Sequence, residues 1–295
     1  MSTYLSPAKV NLWLRILGCR EDGFHEIETR MCPVDIYDQV TVTPKEAGIR
    51  ITCSDPELPT GNDNLVWKAA EAFFQATGSA DGVAIHLDKK IPSGAGLAGG
   101  SGNAATALSA LNANYGDPLK AEKLAALAAS IGSDVVFFLN GGVCDCQGRG
   151  EVVTPVAEPM PSLPLLLIRP AFGVSTPWAY RRWKESKELP GINYAPQAMP
   201  WGIMSNDLER PVFAKHLVLP EIKAWLAAQS GVRAALMSGS GSTVFAVLED
   251  PSVGEALEPL ARERYGEPTW IRRCSTLTNS PFSSRRIAKT VTTED

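Results

Sequence analysis

The stretch that decides the fold reads Pro92-Ser93-Gly94-Ala95-Gly96-Leu97-Ala98-Gly99-Gly100-Ser101-Gly102, running into Asn103-Ala104-Ala105-Thr106-Ala107-Leu108. A strand-like run, Val83-Ala84-Ile85-His86-Leu87, precedes it, and the alanine-rich segment behind it favours helix. A glycine-rich turn that opens a helix gathers free backbone N–H groups at the positive end of the helix dipole. Such a place binds anions, phosphate most readily. Glycine also lets the backbone approach a ligand with no Cβ in the way. A Walker A loop is excluded, because Gly99 is followed by Gly100 and Ser101 where Lys-Ser/Thr is needed. The protein-kinase loop is excluded too, since Ser101 stands where its valine belongs. Gly94-x-Gly96-x-x-Gly99 spells the dinucleotide fingerprint. However, Lys89 to Ser93 separate it from the strand, and Gly100 and Gly102 are expected to spoil a helix starting at its end. A flexible loop without a ligand stays open beside that reading. A nucleotide-phosphate cradle of another kind leads.

Working outward, a chain of 295 residues with 44% hydrophobic content buries a sizeable core and is expected to split into two domains. The prolines Pro155, Pro159, Pro161 and Pro164 mark the connection. The expected division is an N-terminal domain over 1–155, a C-terminal domain over 156–280, and a flexible tail over 281–295. A net charge of −4 and a pI near 5.6 argue against a nucleic-acid partner held by bulk charge. No apolar run is long enough for a membrane span, and Lys9, Asn11 and Arg15 interrupt any signal-peptide core. Six scattered cysteines without C-x-x-C spacing suggest neither zinc nor disulfides, and the expectation is reduced thiols in a cytoplasmic protein.

Near the start, Val10, Leu12 and Leu14 alternate with Asn11, Trp13 and Arg15, a half-buried strand that puts Lys9 and Asn11 side by side. Phe24 and His25 follow a Gly23 turn, where an aromatic ring and an imidazole could meet a planar base; alone, His25 is an ordinary histidine. Asn64 caps a helix over Leu65 to Thr77 that Gly78 ends. A further helix fits Leu119 to Ser130. Asp134 then enters the apolar run Val135-Val136-Phe137-Phe138-Leu139, either as a working carboxylate or as the cap of a helix or turn. In the second half come a strand at Leu165–Ile168, a helix over Glu221 to Gln229, the small-residue turn Ser238-Gly239-Ser240-Gly241-Ser242-Thr243, and a strand at Val244–Leu248.

Three of these pieces in this order, Pro7-Ala8-Lys9-Val10-Asn11-Leu12, the Pro92–Thr106 loop and the Ser238–Thr243 turn, resemble the GHMP kinase superfamily. Asp22-Gly23-Phe24-His25-Glu26, Asn64-Leu65-Val66, Gly132-Ser133-Asp134-Val135, Gly148-Arg149-Gly150-Glu151 and Asn206-Asp207-Leu208-Glu209 narrow the resemblance, which spans about Ser6 to Leu248. It implies an α+β fold of two domains, the C-terminal one ferredoxin-like. The implied activity is ATP-dependent phosphorylation of the 2-hydroxyl of 4-diphosphocytidyl-2-C-methyl-D-erythritol in the non-mevalonate isoprenoid pathway. Catalysis would fall to Asp134 as general base and Lys9 as its partner. ATP would lie on Pro92, Ser93, Gly94, Ala95, Gly96, Leu97, Ala98, Gly99, Gly100, Ser101 and Gly102, with Asn64, and magnesium would come with it; no dedicated metal cage is visible. Asn11, Phe24, His25, Thr176 and Tyr180 would bind the acceptor. His25 would read the cytosine edge while Phe24 and Tyr180 stack on the ring. The partner is then a small molecule carrying cytidine diphosphate, with neither nucleic acid nor membrane, and the chain a monomer or homodimer.

Four departures from the family pattern carry expectations. Ala95 and Ala98 replace glycines, so the backbone there is expected to avoid positive φ. Gly102 replaces a serine and removes a hydroxyl that could have met phosphate or metal. Phe24 stands for a tyrosine. The alternatives are another small-molecule kinase of the superfamily, for mevalonate, homoserine or a sugar, and a nucleotide-binding regulator without catalysis.

Overall fold

Leu165-Leu166-Leu167-Ile168 and Val244–Leu248 are apolar at every position, which suits a strand only when both of its faces are covered. The structure, a computed structural model that describes residues 1–278, shows what covers them. The expected tail over 281–295 lies outside the described residues.

In chain order the elements are β1 (Ser2–Cys19), β2 (His25–Lys45), β3 (Ile49–Cys53), α1 (Leu65–Thr77), β4 (Gly82–Asp88), α2 (Gly99–Asn114), α3 (Ala121–Ile131), α4 (Ser133–Asn140), β5 (Cys144–Gln147) and β6 (Val152–Pro155). They continue as β7 (Pro164–Arg169), α5 (Thr176–Trp183), β8 (Gln197–Met199), β9 (Gly202–Asn206), α6 (Glu209–Lys215), α7 (Val218–Ala227), β10 (Val232–Met237), β11 (Val244–Leu248), α8 (Pro251–Tyr265) and β12 (Trp270–Ser275). The large sheet runs β3-β4-β2-β1-β9-β8, with β5 and β6 added alongside β2. Its last two strands come from beyond residue 155, where the chain returns to pair β9 with β1. The small sheet is ordered β10-β11-β7-β12, with every pair antiparallel. Numbered within that half, the order is 4-1-3-2 with helices between strands one and two and between three and four. This is the ferredoxin-like arrangement, and the α+β reading holds.

The two sheets face each other. Leu165, Leu167, Phe245 and Val247 point toward Val10, Leu12 and Val34 of the large sheet. Their neighbours Leu166, Ile168, Val244 and Ala246 point to the helices of the small sheet. On the outer side of the large sheet, α2 packs on β1 and β2, α1 on β3 and α4 on β5 and β6, while α3 packs against the other three helices. Hence β1 is buried on both faces over Ala8 to Leu12 and not half-buried as its alternation suggests. The polar members of that stretch, Lys9 and Asn11, are therefore forced to satisfy one another or a neighbour. Among the described residues no helix is long and apolar enough to cross a membrane.

Candidate active site

Lys9 and Asn11 sit on one face of β1, next to a register shift against β2 between Asn11 and Trp13. Lys9 is 4% exposed. Its Nζ donates to Asn11 Oδ1 at 2.7 Å and to the Gly96 carbonyl at 3.0 Å. Asn11 in turn donates to Thr29 Oγ1 at 2.8 Å, which donates to the Trp13 carbonyl. Asp134 is the second residue of α4, in the first turn after Gly132, where a negative charge meets the helix dipole favourably. Its carboxylate lies 3.7 Å from Lys9 Nζ and its side chain is 35% exposed. At that distance the pair is an ion pair and not a hydrogen bond, so the carboxylate is free to accept from a ligand. Burial pulls the Lys9 ammonium below the ordinary lysine range, and Asp134 partly restores it.

The glycine loop is held from both lobes. The Lys9 N–H donates to the Leu97 carbonyl, the Val174 N–H to Gly94, and the Thr243 N–H to Ala95. Gly96 has φ +76, and a Cβ there would fall 2.1 Å from the Ser238 carbonyl, so the close approach of the two lobes requires glycine. The sequence expectation fails at two places. Helix α2 starts at Gly99 and runs through Gly100 and Gly102, because burial against β1 outweighs the propensity cost of two glycines. Ala98 adopts φ +53 as the residue before that helix, although alanine was expected to avoid positive φ. Leu97, fully buried beside it, and the Gly102 N–H bond to the Ala98 carbonyl hold it there. The lost hydroxyl at Gly102 is also not a loss to the cleft. A Cβ there would meet the Pro7 carbonyl at 2.8 Å, so this residue faces β1. The amides of Gly99, Gly100 and Ser101 precede the first intrahelical bond and have no capping side chain, which is the anion-binding condition.

The cleft they line measures about 770 Å³. It gathers Lys9, Asn11, Phe24, His25, Asn64, Asp134, Thr176 and Tyr180 with Pro92 to Gly96 and Ala98 to Ser101; Leu97 and Gly102 lie outside its wall. Asn64 caps α1 by accepting from the Val66 N–H, and Thr176, at the start of α5, pairs with Ser240 at 2.8 Å. The His25 ring rests on Tyr180 at 5.3 Å between centroids and on the edge of Trp183 at 6.0 Å. Phe24 is half exposed and carries the Arg149 guanidinium over its ring at 4.8 Å. Burial lowers the His25 pKa below its ordinary value and raises that of Tyr180, so both rings are neutral near pH 7.

Some supporting residues carry no local sequence signal of their role. Asp38, fully buried, accepts from the N–H groups of Lys90 and Ile91, from Asn103 and from Lys89 Nζ. It ties the entry of the glycine loop to the first turns of α2. Asn206 donates to the carbonyls of Met237 and Gly239 and so braces the Ser238–Thr243 turn. Asp207, next to it, accepts from the Ile16 N–H of β1.

Family models of the GHMP kinases N terminal domain and the GHMP kinases C terminal match residues 64–142 and 197–266. The 4-diphosphocytidyl-2-C-methyl-D-erythritol kinase of Methylacidiphilum infernorum (isolate V4) is 42% identical over 271 residues, covering 90% of this chain and 94% of its own. A crystal structure of 4-(cytidine 5'-diphospho)-2C-methyl-D-erythritol kinase superposes with a TM-score of 0.76 at 35% identity, covering 93% of this chain and 99% of that one. A homoserine kinase from Cytophaga hutchinsonii shares the fold, with a TM-score of 0.67 at 19% identity over 95% of each chain. Matched in both halves and related along nine-tenths of its length, the chain belongs to the GHMP kinase family and is an ATP-dependent small-molecule kinase.

Proposed function

We propose that this kinase transfers the γ-phosphoryl group of ATP to the 2-hydroxyl of 4-diphosphocytidyl-2-C-methyl-D-erythritol, in the non-mevalonate route to isoprenoid precursors. One observation carries the reading: the Lys9–Asp134 pair shares its cleft with the free α2 amides and with the rings of Phe24, His25 and Tyr180. The first feature suits a phosphate donor, and the second suits a pyrimidine acceptor. Relatives at 36 to 42% identity carry that substrate in their names.

In this reading Asp134 takes the proton of the acceptor hydroxyl as its oxygen attacks the γ-phosphorus and the bond to the bridging oxygen breaks, releasing ADP. Lys9 keeps Asp134 ionised and offsets the charge that develops on the attacking oxygen. The amides of Gly99, Gly100 and Ser101 hold phosphate oxygens against the α2 dipole. Leu58, Pro59, Asn64 and Leu65 wall the part of the cleft left for the adenine. Magnesium would enter on the nucleotide, since among the described residues no three Asp, Glu, His or Cys side chains converge. His25 reads the cytosine edge, and Thr176 and Asn11 seat the acceptor. The test is turnover of this substrate with ATP, challenged with CDP. CDP is expected to compete with the acceptor and not with ATP. Efficient phosphorylation of mevalonate or homoserine, indifferent to CDP, would overturn the assignment.

A further inference from the structure

We infer that Cys19 is a positioning residue for acceptor recognition, its thiol holding the His25 imidazole in the tautomer that carries its proton on Nδ1. Cys19 and His25 are the last paired residues of the β1–β2 hairpin, directly opposite each other across the strands. That register, and not chance packing, brings Sγ to 3.2 Å from Nε2. The turn between them is closed separately: the Arg20 N–H donates to the Phe24 carbonyl, and the Arg20 guanidinium is taken up by Asp22 and Glu26. Among the described residues no acidic side chain bonds the imidazole, and burial lowers its titration. The ring is therefore neutral, and one nitrogen must be bare.

The chemistry of the pair selects which nitrogen that is. A thiol is a weak donor and a weaker acceptor, whereas the bare nitrogen of an imidazole is a strong acceptor. The favourable bond is S–H to Nε2, which leaves the proton on Nδ1. Tyr180 and Trp183 pack against the ring, one tilted across its face and one edge-on, and limit its rotation. Nδ1 has no partner among the described residues and is the nitrogen left for a ligand. On the reading that His25 faces the cytosine, Nδ1–H donates to the acceptors of that base, its ring nitrogen N3 or its carbonyl oxygen. The opposite tautomer would present a lone pair to those same acceptors. Cys19 thus acts through His25 and touches no reacting atom.

The experiment compares wild type with Cys19→Val, which keeps the shape and removes the donor, and Cys19→Ser, which keeps a donor. Nitrogen-15 spectra of the labelled imidazoles report the His25 tautomer, and steady-state kinetics report each KM. Wild type is expected to show the proton on Nδ1. Cys19→Val is expected to move it toward Nε2 and raise the acceptor KM and the CDP Kd about 3- to 10-fold, the worth of one hydrogen bond. Its kcat and KM for ATP stay unchanged, and Cys19→Ser recovers most of the loss. A His25 tautomer identical in all three proteins, or a Cys19→Val change falling equally on ATP and acceptor, would overturn the inference. If wild type fails to bind CDP at all, the acceptor assignment itself falls, so the two failures are distinguishable.

Discussion

Lys223 and Lys9 are buried lysines with a carboxylate partner, one in each half of the molecule, and their surroundings differ in kind. Lys223 Nζ donates to Glu209 at 2.6 Å and to the Asn193 carbonyl at 3.0 Å, while the other Glu209 oxygen accepts from the Met237 N–H. Both side chains are nine-tenths buried or more, and no part of that carboxylate is left for anything else. Lys9 also spends its donors at short range, on Asn11 and Gly96, but its carboxylate stands off at 3.7 Å with one-third of its side chain exposed. A saturated pair fixes a structure. A pair whose acid is held close yet unsaturated can accept a proton. Asp38 and Lys89 belong with the first kind, since Asp38 is fully enclosed by four donors. Charge burial alone therefore does not distinguish the pair proposed for catalysis; the unused oxygen does.

The largest expected effect comes from removing that oxygen's basicity. Asp134→Asn should lower turnover by about 10³-fold, within the range for a general base, while nucleotide affinity measured by calorimetry holds. Turnover near wild type would place the base elsewhere. On the other side of the comparison, Lys223→Met leaves the Glu209 carboxylate buried and unpaired, and should cost about 3–5 kcal/mol in chemical denaturation. Burial already pushes the Glu209 carboxyl above its ordinary range. Adding Glu209→Gln to that variant should recover much of the loss, and a double variant as unstable as the single would contradict the pairing. The smallest effect concerns Ala98. Glycine there relieves the left-handed backbone and should stabilise the protein by about 0.5–1 kcal/mol, read as a shifted denaturation midpoint at unchanged slope. A loss of stability would mean that the Ala98 methyl group contributes packing worth more than the strain.

The same contrast explains what could be read before the structure. The helix Leu65–Thr77 and the strand Val244–Leu248 were legible at their ends, because Asn64 and Gly78 are local cap signals and the apolar run is uninterrupted. Lys9 beside Asn11 followed from the two-residue period of a strand. What was illegible depends on contacts far apart in the chain. The burial of both faces of β1 comes from the second sheet, the φ of Ala98 from its fit between Leu97 and α2, and the bracing by Asn206 from a turn some thirty residues on. The face that Gly102 turns to β1 is of that sort as well, since Pro7 lies ninety-five positions earlier. Asp134 was ambiguous for a different reason. Gly132 carries no capping side chain, so nothing local announced that α4 begins at Ser133.

Lys9→Met tests the central distinction most directly, with thermal unfolding and turnover measured on the same sample. Methionine fills the space of the lysine stem, removes an ammonium that burial disfavours, and leaves behind a carboxylate that water can reach. The account predicts turnover reduced by about 10²-fold or more, with a Tm lowered only by the loss of the Lys9 bonds to Asn11 and Gly96 and clearly less than in Lys223→Met. A Tm lowered as far as that of Lys223→Met, or turnover retained, would contradict the assignment of this pair to chemistry and the other to structure.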